Sequence, residues 1–338
     1  SITFFSLVLN DDTKDAAVEQ TSHGTRPSAQ LAESFDGLGF GFEGPQGKAN
    51  LRNPSDNTIA VGPDHIVQIV NSRMAVFSKK GKRFDSTGKI LYGPVVTNAV
   101  FAGFGGQCEA RNNGDAVVRY DQLARRWLIV MPIFARGPVR PDQPPVWKSG
   151  DAAQLSPPGQ PNQPGAAFKL VPPPVPNPTV NPNRAAPATQ GQGPFSICYA
   201  VSTSEDPLGE YYRYEFLRPL FPDYPRPAVW PDGYYVPTST GDDVIQKHAC
   251  VVERDKMLKG LPATEQCIVI DGVNFLNNAD LDGYALPPRG APNLMLAAGG
   301  TQLNKILEDD CVYAWNFHVD WKNPANTKLV GPTKISVA

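Results

Sequence analysis

An internal repeat constrains this chain more than any other feature. Ala60-Val61-Gly62-Pro63-Asp64-His65-Ile66-Val67 aligns with Ala228-Val229-Trp230-Pro231-Asp232-Gly233-Tyr234-Tyr235. In both copies a short apolar strand meets Pro-Asp and a second apolar strand follows. Proline pre-sets φ at the first turn position, and aspartate bonds nearby backbone N–H groups, so the unit predicts a tight hairpin. Two looser copies follow the same logic. Residues 115–121 lead through a turn to Arg126-Trp127-Leu128-Ile129, and Asp280-Leu281-Asp282-Gly283-Tyr284 leads through Pro-rich residues to Leu294-Met295-Leu296.

Three runs, at 66–70, 127–131 and 293–298, are apolar on consecutive positions and not only on alternate ones. A strand of that kind is buried on both faces. Propeller blades meet the requirement with antiparallel strands, because each sheet is packed between two neighbours. The expected fold is therefore all-β, a β-propeller with about four blades near 56–110, 115–218, 223–278 and 280–338. Residues 1–50 are polar and Gly-rich and are expected to form an extended N-terminal arm, leaving 51–338 for the blades. A stretch at about 135–194, dense in Pro, Gln, Asn, Gly and Ala, cannot bury a core and reads as a loop inserted into the second blade. Residues 253–259 predict a short helix.

Charge and cysteine usage narrow the setting. With 31 basic and 33 acidic residues the net charge is −2, and the distinctly basic stretch, Lys79-Lys80-Gly81-Lys82-Arg83, falls at a turn. Nothing there calls for nucleic acid. No apolar run approaches the ~18 residues that span a bilayer, so no membrane span is expected. The opening Ile2-Thr3-Phe4-Phe5-Ser6-Leu7-Val8-Leu9 reads as a first strand or the remainder of a processed signal peptide. The five cysteines, at 108, 198, 250, 267 and 311, contain no Cys-x-x-Cys and match no zinc spacing. They suit an oxidising compartment, hence secretion, with Cys250–Cys267 on paired strands and Cys108–Cys198 bracketing the insertion. Cys311 is left over. The competing reading is a cytosolic protein with five buried thiols.

Several stretches together resemble an uncharacterised family of secreted bacterial proteins with propeller-like sequence. They are Gly105-Gly106-Gln107-Cys108-Glu109, Gly114-Asp115-Ala116-Val117, Ala200-Val201-Ser202-Thr203 with Asp206-Pro207, Asp223-Tyr224-Pro225 with Val229-Trp230-Pro231-Asp232, Leu281-Asp282-Gly283, and Phe317-His318-Val319-Asp320. The resemblance runs from about residue 34 to the end. It implies a β-propeller, and it implies chains that continue past the point matching Gly331-Pro332-Thr333 into a larger ring of about seven blades. Another chain or segment would then complete the propeller. The resemblance carries over no catalytic residue. Cys311 and the 135–194 insertion depart from the family's pattern.

The candidate chemistry sits at the strand entries. Asp56, Asp115, Asp223 and Asp280 recur there, with Asp282 beside the last. Converging carboxylates are candidate Ca²⁺ ligands, and two of them can act as acid and base on a glycosidic bond. The plainer reading has each aspartate bonding its own turn. Tyr224 and Arg226 lie in a loop where an aromatic can stack on a sugar ring, and His248 opens a strand that is expected to approach a rim. A Tyr/Arg/His set suits a polysaccharide lyase. No Gly-x-Ser-x-Gly and no phosphate-cradling glycine loop occurs. The expected function is a secreted binding or scaffold module for an extracellular polysaccharide or protein partner. The alternatives are a polysaccharide lyase or glycoside hydrolase working at the channel mouth, and a structural subunit of an extracellular assembly.

Overall fold

A computed structural model describes residues 24–50, 54–136, 143–155, 168–169, 192–240, 246–270, 273, 275–298 and 311–336. The fold is all-β. Apart from a small hairpin pairing Glu43–Gly44 with Gly47–Lys48, the described strands form four antiparallel sheets that follow one another along the chain. The first holds Asn57–Val61, His65–Val70, Arg73–Ser78 and Ile90–Val96 in chain order. The second runs Val117–Asp121, Arg126–Arg136, Gln192–Ser202, Glu210–Arg218, with Phe168–Lys169 at its outer edge. The third runs Pro222–Asp223, Thr238–Thr240, Gln246–Val252, Gly233–Tyr235, Ala228–Trp230, with Glu265–Ile270 also on Gln246–Val252, and the fourth runs Asn277–Asn278, Asn293–Ala298, Cys311–His318, Lys328–Ser336.

The repeated octapeptide folds identically in both copies. Gly62 N–H donates to His65 O at 2.9 Å across Pro63-Asp64, and Trp230 pairs with Gly233 across Pro231-Asp232. Of the consecutively apolar runs, 127–131 is squeezed between two sheets, 66–70 lies between the second sheet and the arm, and 293–298 buries one face only, with Leu294 and Leu296 half-buried on the other. Along 127–131 the side chains alternate between two interiors. Trp127, Ile129 and Met131 pack with Val67, Ile69 and Met74 of the first sheet. Leu128 and Val130 pack with Tyr234, Val236 and Val252 of the third. A third interior joins Tyr235, Ala249 and Val251 to Met295, Trp315 and Phe317 of the fourth sheet. Each such buried side chain contributes about 1.5–3 kcal/mol by leaving water, which is why both faces of Arg126–Arg136 are apolar along 127–131.

Two expectations change. The arm is exposed and without strands over 24–34, but further on Phe35, Leu38, Phe42 and Ala49 pack on Ile66, Val70, Ala75 and Phe77 of the first sheet. Leu38 N–H also donates to Gln68 Oε1 at 2.7 Å. The 135–194 stretch is likewise not all loop. Arg126–Arg136 runs into it, Ala152–Leu155 adds a strand beside Glu265–Ile270, and Trp147 packs on Cys250, Cys267 and Val269. Ala153 and Leu155, on one face of the added strand, pack against the same cluster. Residues 2–9 and Pro172-Pro173-Pro174 lie outside the described residues.

Cys108, in the short helix Gly106–Ala110, is bonded to Cys198 in the second sheet. Cys250 is bonded to Cys267, its direct cross-strand neighbour, with Cα atoms 4.1 Å apart. Cys311 is buried and free. Arg254–Met257 forms the short helix. No helix among the described residues is long and apolar enough to cross a membrane.

Candidate functional site

The strands Asn57–Val61, Val117–Asp121 and Ala228–Trp230, each from a different sheet, lie against one another. Thr58 Oγ1 donates to Val118 O at 3.4 Å, and Arg119 Nε donates to Pro227 O at 2.9 Å. Where these strands begin, an open cavity of about 560 Å³ is lined by Asp56, Thr58, Asp115, Arg119, Tyr224 and Arg226, among others. Each of three sheets delivers one residue in the same unusual conformation: φ is +35° at Asp56, +54° at Asp115 and +49° at Tyr224. Left-handed backbone costs about 1–2 kcal/mol for most residues with a Cβ, less for aspartate, whose short side chain bonds locally, so the clear outlier is Tyr224. Among the described residues five non-glycine positions adopt it, and three line this one cavity. Strain concentrated at one place is a mark of a functional site.

Two carboxylates, Asp56 and Asp115, and two guanidiniums, Arg119 and Arg226, line the cavity. Asp56 accepts from Asn71 Nδ2 at 2.9 Å. Burial, then the charges of Asp56 and Asp223 and a hydrogen bond with Asp56, push the Asp115 carboxyl up to about 7. Asp223 Oδ1 accepts from Tyr224 N–H at 2.9 Å. Asp280 stands apart. Its Oδ1 accepts from Val229 N–H at 2.7 Å and Leu281 N–H at 3.0 Å, and its Oδ2 is 3.8 Å from Arg119 Nε. Asp56 and Asp115 thus share the cavity, Asp223 acts on Asp115 from the next sheet, and Asp280 bonds both its own turn and Val229 of the third sheet.

Arg226 is fully engaged. Its Nε donates to Leu276 O at 2.7 Å, Nη1 to Tyr224 O at 2.9 Å and Nη2 to Ser239 Oγ at 3.0 Å. Its guanidinium also lies 5.1 Å from the Tyr224 ring and 5.8 Å from that of Phe275. Burial lowers its pKa to about 10, so it stays charged at neutral pH. It clamps Tyr224 in place.

His248 does not reach a rim. It is fully buried in Gln246–Val252, hydrogen-bonded strands lie on both sides, and its ring is 4.7 Å from that of Trp147. Burial first, and the Arg218 charge second, push its pKa well below the usual range. A neutral core histidine results, so the Tyr/Arg/His set of a lyase is not assembled. Sequence reasoning also missed two residues. Arg119 shares a strand face with Val117 and was detectable from that alternation, whereas Asn71 leaves no local signal because its partner Asp56 is 15 residues away.

A second polar cluster lies deep in the molecule. Arg218 Nη2 donates to Glu265 Oε1 at 2.6 Å, Tyr199 Oη donates to the same oxygen at 2.8 Å, and Arg218 Nη1 donates to Cys250 Sγ at 2.8 Å. Cys250, Glu265 and Cys267 come close together there, but the two sulfurs are bonded to each other and are not free to take a metal. No family model, no curated protein and no solved structure matches the chain.

Proposed function

We propose that this protein is a secreted, propeller-type binding module that takes a segment of an extracellular polymer into the cavity where its innermost strands begin. One observation carries the reading: three successive sheets bring Asp56, Asp115 and Tyr224, each in left-handed backbone, to a single open cavity. The propeller architecture draws support from sheets stacked face to face in chain order around three shared interiors. Secretion draws support from the two disulfides. Calorimetric titration with extracellular polysaccharides tests the reading. Asp56→Asn, Asp115→Asn and Tyr224→Ala are each expected to weaken binding at least about tenfold, or ~1.4 kcal/mol, with no loss of thermal stability. Binding untouched by all three would place the ligand elsewhere.

A glycoside hydrolase is the second reading, favoured by a carboxyl held near neutrality beside a second one. That combination suits a general acid and its partner. Release of reducing ends from a polysaccharide, abolished by Asp115→Asn, would support it. Asp56, Asp115 and Asp223 also suit a hard cation such as Ca²⁺. Calcium titration of the wild type against the Asp56→Asn, Asp115→Asn double variant tests that occupant.

A further inference from the structure

The two sulfurs of the Cys250–Cys267 disulfide have different surroundings, and the difference runs in one direction. Cys250 lies on the central strand Gln246–Val252. Its neighbour on the far side from Cys267 is the fully buried Val236, whose N–H donates to Cys250 O at 2.8 Å. Cys267 lies on Glu265–Ile270, and its neighbour on the far side from Cys250 is Ala153 of Ala152–Leu155. That strand is an edge. It pairs with Glu265–Ile270 alone, and Ala152 and Gln154 are exposed. In thiol–disulfide exchange a thiolate approaches the attacked sulfur from behind, in line with the bond that breaks, so access decides which sulfur reacts. Behind Cys250 is the middle of a sheet. Behind Cys267 is one alanine on an edge strand.

The hydrogen bonds draw the same distinction from different contacts. Arg218 Nη1 donates to Cys250 Sγ at 2.8 Å, and among the described residues no side chain donates to Cys267 Sγ. A Glu265 carboxylate oxygen lies within 4.8 Å of both sulfurs and so favours neither. A neighbouring guanidinium stabilises a thiolate, and a sulfur stabilised in that form leaves faster. Cys250 is therefore the leaving sulfur and Cys267 the attacked one. Residues 143–155 form a strap that covers the bond. Trp147 packs on Cys250, Cys267 and Val269, Gln246 Nε2 donates to Trp147 O at 2.5 Å, and Gly150 N–H donates to Val269 O at 3.0 Å. Val146 and residues 148–151 are exposed. A segment held by one buried ring and a few edge hydrogen bonds opens locally, well below the cost of global unfolding.

We propose that Cys250–Cys267 is an exchange site for an external dithiol reductant, reached when the strap lifts. The reductant's thiolate attacks Cys267 Sγ and forms a mixed disulfide. The Cys250–Cys267 bond breaks, and its electron pair stays on Cys250 Sγ as a thiolate facing Arg218. The reductant's second thiol gives its proton to solvent and attacks the reductant sulfur of the mixed disulfide. Cys267 then leaves as a thiolate that takes a proton from solvent, and the reductant departs as a disulfide. None of these residues lines the cavity at Asp56 and Asp115, so the inference does not depend on polymer binding.

A monothiol halts the reaction halfway and records which sulfur was attacked. The folded full chain is treated with β-mercaptoethanol, freed thiols are trapped with N-ethylmaleimide, and non-reducing peptide mass spectrometry locates both groups. The mercaptoethanol adduct is expected on Cys267 and the maleimide on Cys250, at least about tenfold over the reverse arrangement, with Cys108–Cys198 still bonded. Trp147→Ala should speed adduct formation at least about tenfold without changing the sulfur attacked, and Trp147→Phe should restore the slow rate. Melting temperatures close to the wild type verify that both variants keep the fold. An adduct on Cys250, or on both sulfurs equally, would overturn the assignment. So would opening of Cys108–Cys198 at the same rate, or a Trp147→Ala rate equal to that of the wild type.

Discussion

Asp115 shows how a single side chain reports on the cavity. Its ordinary carboxyl value is 3.8, and burial with the neighbouring Asp56 and Asp223 charges raises it to about 7 in the folded chain. The folded state therefore keeps a proton that the unfolded state has already lost over that interval. The associated stability is fully present below the unfolded value and is lost as pH rises through about 7. Asp115→Asn mimics the protonated form, so it should gain on the wild type as pH rises. Scanning calorimetry at about pH 5 and about pH 8 checks this: the melting-temperature difference, variant minus wild type, should be larger at the alkaline pH. A difference that does not change with pH would mean that Asp115 titrates as an ordinary surface carboxylate.

Between sheets, stability depends on latches that are buried and charged. Asp121 closes the first strand of the second sheet, and Arg254 opens the short helix after the third sheet's central strand. Arg254 donates Nε and Nη2 to Asp121 at 2.7 and 3.1 Å, and Tyr234 Oη donates to the same carboxylate at 2.8 Å. Removing one partner of a buried pair typically costs about 3–5 kcal/mol, because the other charge stays behind uncompensated. Asp121→Ala should lose that amount in urea unfolding, and Arg254→Met with Asp121→Leu together should lose less than Asp121→Ala alone. The disulfides act at the same scale. Cys108–Cys198 closes a span of 90 residues, and replacing both cysteines by serine should cost about 2–5 kcal/mol. Alkylation of the denatured, unreduced protein should label one cysteine, Cys311, and more than one label would break the pairing.

What was legible in the sequence at this scale follows from where the information lies. The Pro-Asp hairpins and the strand 127–131 are each written within a few consecutive residues, so they could be read directly, whereas the run at 293–298 has the same composition but buries only one face. The strap that carries Trp147 could not be read, because its partners Cys250 and Cys267 lie about a hundred residues further on and its neighbouring composition is that of a loop. His248 failed for the related reason that a strand is visible locally, while its central place between two other strands is not.

For the whole molecule, the two ends of the stack of sheets differ. The outer face of the first sheet is closed by Phe35, Leu38 and Phe42 from the arm. On the fourth sheet, Met295, Trp315 and Phe317 face the third sheet, while the strand register sends Val312, Ala314, Val330 and Ile335 to the opposite face. Val330 and Ile335 are each 48% exposed, whereas Trp315 is 6% exposed. Four sheets cannot be sandwiched on both faces unless something lies beyond the fourth, and a closed ring would make Val330 as deeply interior as Trp315. Truncation measures the difference. Trp315→Ala removes a buried aromatic and should cost about 3–5 kcal/mol. Val330→Ala should stay within about 0.5 kcal/mol if that face meets water. A loss at Val330 of about 1–2 kcal/mol or more would mean that the face is covered in solution. Repeating the measurement across protein concentration then separates the two ways of covering it: a penalty that grows with concentration belongs to association between molecules, and a constant one belongs to the chain's own packing.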